Sequence, residues 1–278
     1  MKKIVIIVAC LLVFSLINGC SQGSGDGSTS VHQSSSSQAD SSSSKAGSSS
    51  SVQDKNNSST APKNKTEEKQ SSEKIGTLKK TLADVRLLLK KHTPLLLPQK
   101  LPIENGSYVS AVVKNQASEF TITFKQTGTP LKVNDKALSK AKTIATMTRQ
   151  IYSNESEAAK QMTYHQYGSS DGEAVPLGHQ ITGYADAGAG TAGISWNEGR
   201  WTLASLSPTS ESAKGQQLAR FIVDYLEEHA LPVPRQYGQI QAYTDNRQSM
   251  IRWQDRKSIY ELTGNDPMVL LEIAVSIK

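Results

Sequence analysis

Cysteine is nearly absent from this chain: its 278 residues hold two, Cys10 and Cys20, too few for a cysteine metal centre. Aromatic residues make up only 6%, and the stretch from Ser21 to Ser72 contains none. A long hydrophobic run is missing as well. The apolar stretch from Ile4 to Ile17 carries no charge, yet it would span about 21 Å as a helix against a hydrocarbon core of roughly 30 Å. Nor does a basic stripe interleaved with aromatics run through the body. Residues 101–278 carry seventeen basic and eighteen acidic side chains, so nucleic acid is a poor partner and is not expected.

What is present begins at the amino end. Lys2 and Lys3 precede the short apolar stretch, small Gly19 follows it, and Cys20 comes directly after. This order resembles a bacterial lipoprotein signal with its lipobox, with Asn18 as the one departure from the usual small residue. The resemblance implies cleavage between Gly19 and Cys20, a diacylglyceryl thioether on Cys20, and acylation of the new amino terminus. Several acyl chains on one residue hold a protein stably where a single chain holds it marginally. Residues 1–19 are then a signal peptide, and the expected location is the extracytoplasmic face of the cell membrane, lipid-anchored. Cys10 leaves with the signal and the remaining thiol is capped, which excludes a disulfide and a thiolate nucleophile. Loss of Lys2 and Lys3 lowers the net charge from +6 to about +4.

From Ser21 to Ser72 there are 20 serines, five acidic and five basic residues, and hardly any branched aliphatics. Such a composition buries too little apolar surface to offset the entropy of ordering. Residues 20–73 are therefore expected to form a disordered tether, similar to the Ser-rich spacers of Gram-positive surface lipoproteins, with a reach of roughly 40 Å as a flexible coil. Residues 74–278 have the length of one domain with a real core.

Ile75, Leu78, Leu82, Val85 and Leu89 recur at spacings of three and four, which predicts a helix ended by Pro94, with Lys79, Lys80, Arg86 and Lys90 nearer its flanks. Either it packs on its own domain, or its basic face touches anionic lipid or wall polymer. Beyond Pro102 the pattern alternates. Strands are expected at Tyr108–Lys114, at Glu119–Lys125 with Phe120, Ile122 and Phe124 on one face, at Ile144–Tyr152, and near Gly178–Ala185. Asn154 and Glu157 have capping-box spacing ahead of a helix near Ala158–Tyr164.

Two hairpins stand out. A two-residue turn at Glu198-Gly199 would set Trp196 opposite Trp201 and Ile194 opposite Leu203; a four-residue turn at Asp255–Ser258 would set Trp253 opposite Tyr260 and Ile251 opposite Leu262. Each leads into a helix, one striped by Leu218, Phe221, Ile222, Tyr225 and Leu226, the other by Leu270, Ile273, Ala274 and Ile277 behind an Asp266-Pro267 start. Trp196, Trp201 and Trp253 are expected in or near the core, the alternative being an aromatic platform for glycan or peptide. The predicted class is α+β: a single domain, mainly antiparallel sheet, with helices covering one face.

The closing pattern Ile251-x-Trp253, Tyr260-x-Leu262, Leu271-x-Ile273-Ala274-x-Ser276 resembles a strand pair and terminal helix of uncharacterised extracytoplasmic domains in Gram-positive lipoproteins and some anti-sigma factors. The resemblance covers about thirty residues. It implies a sensing, binding or envelope-support role rather than an enzyme.

Chemistry is hard to find. Gly188-x-Gly190-x-x-Gly193 matches the dinucleotide fingerprint by letters, but a strand with Trp196 follows where a helix is needed, so a flexible loop is expected and no cofactor. Ser195 lies mid-strand, not on a nucleophile elbow. His32 falls in the tether, while His92, His165, His179 and His229 have no metal-ligand spacing and are expected at the surface or at helix ends. Glu227 and Glu228 point different ways on a helix, and Glu155 and Glu157 suit a helix first turn. No catalytic or metal-binding residue is assigned; Cys20 is the one assigned site. The expected function is a non-catalytic, membrane-anchored lipoprotein that binds or supports an envelope protein or wall polymer. The alternatives are a wall-directed hydrolase with a site assembled from distant residues, and the solute-binding lipoprotein of a transporter.

Overall fold

The computed structural model describes residues 78–278. Cys20, the signal, the expected tether, His32 and Ile75 lie outside the described residues. Within them the chain is an α+β domain built on one ten-stranded sheet.

Helix α1 is described over residues 78–88, and a 3-10 turn, Lys90–His92, follows it. Its inner face buries Leu82, Val85 and Leu89, and Thr81 Oγ1 donates to the Val109 carbonyl at 2.9 Å, so the helix packs on its own domain. A meander of β1 (Tyr108–Asn115), β2 (Glu119–Thr127) and β3 (Lys142–Ile151) comes next, with Phe120, Ile122 and Phe124 buried on one face as the alternation requires. The short helix α2 (Glu155–Ala159) begins where Asn154 caps it, its side chain accepting from the Glu157 amide at 2.9 Å. It ends earlier than the pattern predicted, and Met162 beyond it turns back onto Ile259.

A second meander holds β4 (Glu173–Gly178), β5 (Ile181–Gly188), β6 (Thr191–Glu198) and β7 (Trp201–Pro208). The stretch expected as one strand near Gly178–Ala185 is broken by a turn at His179-Gln180, both at positive φ. Helix α3 (Ser212–Glu228) crosses to β8 (Gly238–Tyr243), followed by the hairpin of β9 (Ser249–Asp255) and β10 (Ser258–Gly264) and helix α4 (Pro267–Val275). The strand order is β1-β2-β3-β10-β9-β8-β7-β6-β5-β4, and every neighbouring pair is antiparallel except β7 with β8.

Hairpin β9–β10 has the predicted register, Trp253 opposite Tyr260 and Ile251 opposite Leu262. Hairpin β6–β7 does not. It turns at Gly199-Arg200, so Trp196 faces Leu203, Ile194 faces Ser205 and Trp201 faces Glu198. The reason is local: Gly199 takes φ +56°, which glycine adopts without steric cost at the first central turn position. All the same side chains stay on the core face.

Helices α1, α3 and α4 cover that face, and one continuous core runs beneath them, from Leu89 through Phe120, Tyr260 and Trp253 to Ile222. Trp196, Trp201 and Trp253 are 0%, 6% and 0% exposed, which removes the aromatic-platform alternative. A Cβ on Gly238 would collide with the Trp201 ring, which is why a residue without a side chain stands at this parallel pairing. Within the stripe predicted on α3, Phe221 is an exception and faces solvent. On the opposite face of the sheet α2 packs alone, through Ala158 and Met162 against Ile259. The segment after α1 runs beside the carboxyl end: Leu97 and Lys278 exchange two backbone hydrogen bonds of 3.3 Å, and the Gln99 amide donates to the Ser276 carbonyl.

Candidate functional site

The structure scatters the histidines rather than gathering them. His92 is buried, not a surface residue: its ring meets Phe120 edge-on at 5.4 Å and its Nε2 faces Asn115 Oδ1 at 2.8 Å. Burial follows from its place at the end of the 3-10 turn, where the chain folds under α1 toward β2 and β3. Arg149, also buried on the core face of β3, donates to the His92 and Pro94 carbonyls and to Ser258 Oγ, and its guanidinium lies over the Tyr260 ring. It stitches that crossing.

His165 pairs with Asp171 at 2.7 Å, and this bond, aided by the Gly168 amide, holds the Asp171 carboxyl below the usual range. His179 stands between α3 carboxylates, 3.0 Å from Asp224 and 3.9 Å from Glu227. His229 caps α3, with Nδ1 2.9 Å from the Tyr225 carbonyl and its ring stacked on that tyrosine. The partners are thus an amide, carboxylates and a carbonyl; none is a hydroxyl that a histidine would activate. Ser195 sits within β6 opposite Ala204. Gly188–Gly193 is a tight hairpin turn at Ala189-Gly190, both at positive φ, instead of a flexible loop. Among the described residues no group of three His, Cys, Asp or Glu could hold a metal ion.

Glu198 is a partly buried acid that the sequence did not reveal. It accepts from Trp196 Nε1 at 2.8 Å, and burial pushes its carboxyl above the usual range despite that bond; nearby Glu227 pushes the same way. It lines a cavity of about 270 Å³ with Trp201, Leu226 and His229, in which it is the only carboxylate among the lining residues.

A more distinctive arrangement lies beside it, where three loops meet at one end of the sheet. The β6–β7 turn brings Arg200, the β9–β10 turn brings Arg256, and the segment before β8 brings Arg235, around an open cavity of about 420 Å³. Hydrogen bonds to the main chain fix all three. The Arg235 amide donates to the Gln254 carbonyl at 2.7 Å, the Gly238 amide to the Arg200 carbonyl at 3.0 Å, and Gln254 Nε2 to the Arg256 carbonyl at 2.8 Å. Arg200 Nη1 in turn donates to the Arg235 carbonyl at 2.9 Å. Two carboxylates share the cavity, Glu155 and Asp255. Glu155 is engaged by Arg235 Nε at 3.0 Å, whereas Arg200 and Arg256 have no carboxylate within 4.0 Å among the described residues. Arg256 holds φ +51°, an unusual backbone for a residue with a side chain, and Val233 stands 78% exposed at the rim. No local pattern signals this convergence, because the arginines are 35 and 21 positions apart and meet only when β8 inserts between the two hairpins.

Two other clefts are built differently. One of about 540 Å³ runs under the start of α3 over Ala, Gly and Ser residues of β5–β7. Another, of about 670 Å³ near the start of α4, is lined by Thr123, Thr146, Thr263, Gln126 and Gln248. Unpaired guanidiniums on a fixed frame can recognise phosphate or carboxylate oxygens two at a time, which neither of these clefts offers. No family model matches the chain, and neither a curated protein nor a solved structure matches it, so the arginine-lined cavity rests on its geometry alone.

Proposed function

We propose that this chain is an extracytoplasmic lipoprotein, anchored to the cell membrane through lipid on Cys20, whose domain binds an anionic envelope component without catalysing a reaction. The anchoring half of the reading rests on the run from Lys2 to Cys20. The binding half is carried by one observation: Arg200 and Arg256, free of carboxylate partners, face one cavity with Arg235 from three backbone-clamped loops. A wall polymer bearing phosphodiesters has the matching charge and offers paired acceptor oxygens.

The hydrolase alternative draws on Glu198, whose raised carboxyl suits a general acid. Carboxylate pairs that cut glycosidic bonds flank one cleft, and Glu198 faces its cavity without a second acid. A transporter's solute-binding protein needs two lobes about a deep cleft, whereas here one sheet carries one main core.

Calorimetric titration with poly(glycerol phosphate) oligomers tests the reading. Binding is expected at low salt, weakening with salt, and R200Q and R256Q should each reduce affinity about tenfold, the loss of one charge-assisted contact. Equal affinity in the double variant would sink the binding half. The anchoring half fails if C20A is processed and acyl-labelled like the parent chain.

A further inference from the structure

Helix α1 spends only one side on the core. Its other side, with the 3-10 turn that follows, presents Lys79, Lys80, Arg86, Lys90 and Lys91 to solvent, all exposed, with Leu87 among them at 70% exposure. Arg86 lies two turns after Lys79 and one turn before Lys90, and Lys80 and Lys91 lie two turns before and one turn after Leu87. Among the described residues none of the five cations has a carboxylate within 4.0 Å and Asp84 is the sole acid on α1. Five like charges around an exposed leucine gain nothing for the fold. Repulsion along a helix face costs stability, and a solvated leucine contributes none.

The geometry points to an interfacial contact: the outer face of α1 lies against an anionic lipid surface, with the cations among headgroup phosphates and Leu87 inserted at the acyl boundary. This inference rests on the proposed anchoring for its setting. Fewer than sixty residues separate Cys20 from Leu78, so the chain that leaves the bilayer at the lipidated residue enters the folded domain at this helix. Residues 101–278 are near neutral, so the positive charge of the described residues is concentrated at that entry point. No helix among the described residues is long and apolar enough to cross a membrane. Lys and Arg beside an anionic leaflet strengthen binding about fivefold each, and one inserted apolar side chain adds to that. A single such helix would bind weakly when free. Tethered within reach of the surface, it meets a high local concentration of lipid, and weak contact suffices.

The test uses the chain from residue 20 onward with Cys20→Ser, which carries no lipid, so its outcome does not depend on whether Cys20 is acylated. Sedimentation with phosphatidylglycerol-containing vesicles at low salt is expected to pull the protein down, and vesicles of phosphatidylcholine alone, or high salt, are expected to leave it in solution. K79Q/R86Q/K90Q should reduce partitioning on the order of a hundredfold and L87S about tenfold, with thermal midpoints no lower than the parent's because these side chains are exposed and the cations repel one another. K136Q/K140Q, on the exposed turn Lys136–Lys140, should partition like the parent. R200Q/R256Q should also partition normally. Equal binding to both kinds of vesicle, normal binding of the α1 triple variant, or loss confined to R200Q/R256Q would each overturn the inference.

Discussion

Glu198 shows how a single residue can be well supported and still cost stability. Its carboxylate keeps the Trp196 indole N–H satisfied, yet burial makes the charged form unfavourable, so the folded protein holds that proton more tightly than the unfolded chain does. The sign follows from linkage: the group favours the fold fully below the ordinary glutamate range, and this contribution is lost as pH rises through the raised value. E198Q keeps an acceptor for Trp196 and removes the charge. Its denaturation midpoint is expected to exceed that of the parent at neutral pH, with the gap closing near pH 4; a gap that widens in acid would contradict the assignment. Glu198 was invisible in the sequence for the same reason that the β6–β7 register was misread. Moving that turn by one residue shifts the pairing yet leaves every side chain on its face, and alternation cannot detect such a slip. Only the preference of Gly199 for the first central position distinguishes the two turns. His92 was misplaced because a polar residue after a basic run reads as surface, and its burial depends on Asn115 and Arg149, brought to it from 23 and 57 positions away.

At the scale of elements, caps and core stripes were legible while boundaries set by tertiary contacts were not. Asn154 and Asp266 both cap their helices as the spacing implied, Asp266 Oδ1 accepting from the Met268 and Val269 amides. The break at His179-Gln180 had no signal, since neither residue is Gly or Asn. The sheet's two edges are each blocked by a specific device. On β1, the Asn134 amide donates to the Ala111 carbonyl while Asn134 Oδ1 accepts from the Val113 amide, occupying groups that would otherwise pair with another strand. On β4, Pro176 has no amide hydrogen to offer. N134G keeps the φ of +64° accessible but removes the side-chain acceptor. It is expected to cost about 1 kcal/mol of stability and to produce concentration-dependent self-association by light scattering. A strictly monomeric N134G would mean the edge is protected some other way.

For the whole molecule, the decisive fact is that one core passes under three helices from α1 to α3. Strand order was not readable from periodicity, because β10 joins β3 across more than a hundred residues while β8 must enter parallel to β7. A shared core predicts shared unfolding. L89A and I222A, at opposite ends, should each cost about 2–5 kcal/mol and shift the same tryptophan-fluorescence transition, although all three tryptophans sit in β6, β7 and β9. A Leu89 variant that left this transition in place would show that the α1 end melts separately.

The paired backbone bonds between Leu97 and Lys278 act as a buckle, closing the domain where its first helix hands over to the rest. Tension arriving along the amino-terminal chain meets α1 first, and the buckle is the joint that resists its running on past Leu97. A fusion appended after Lys278 has to leave through the buckle itself, so a reporter placed there would load the very joint that ties down the segment following the cationic helix.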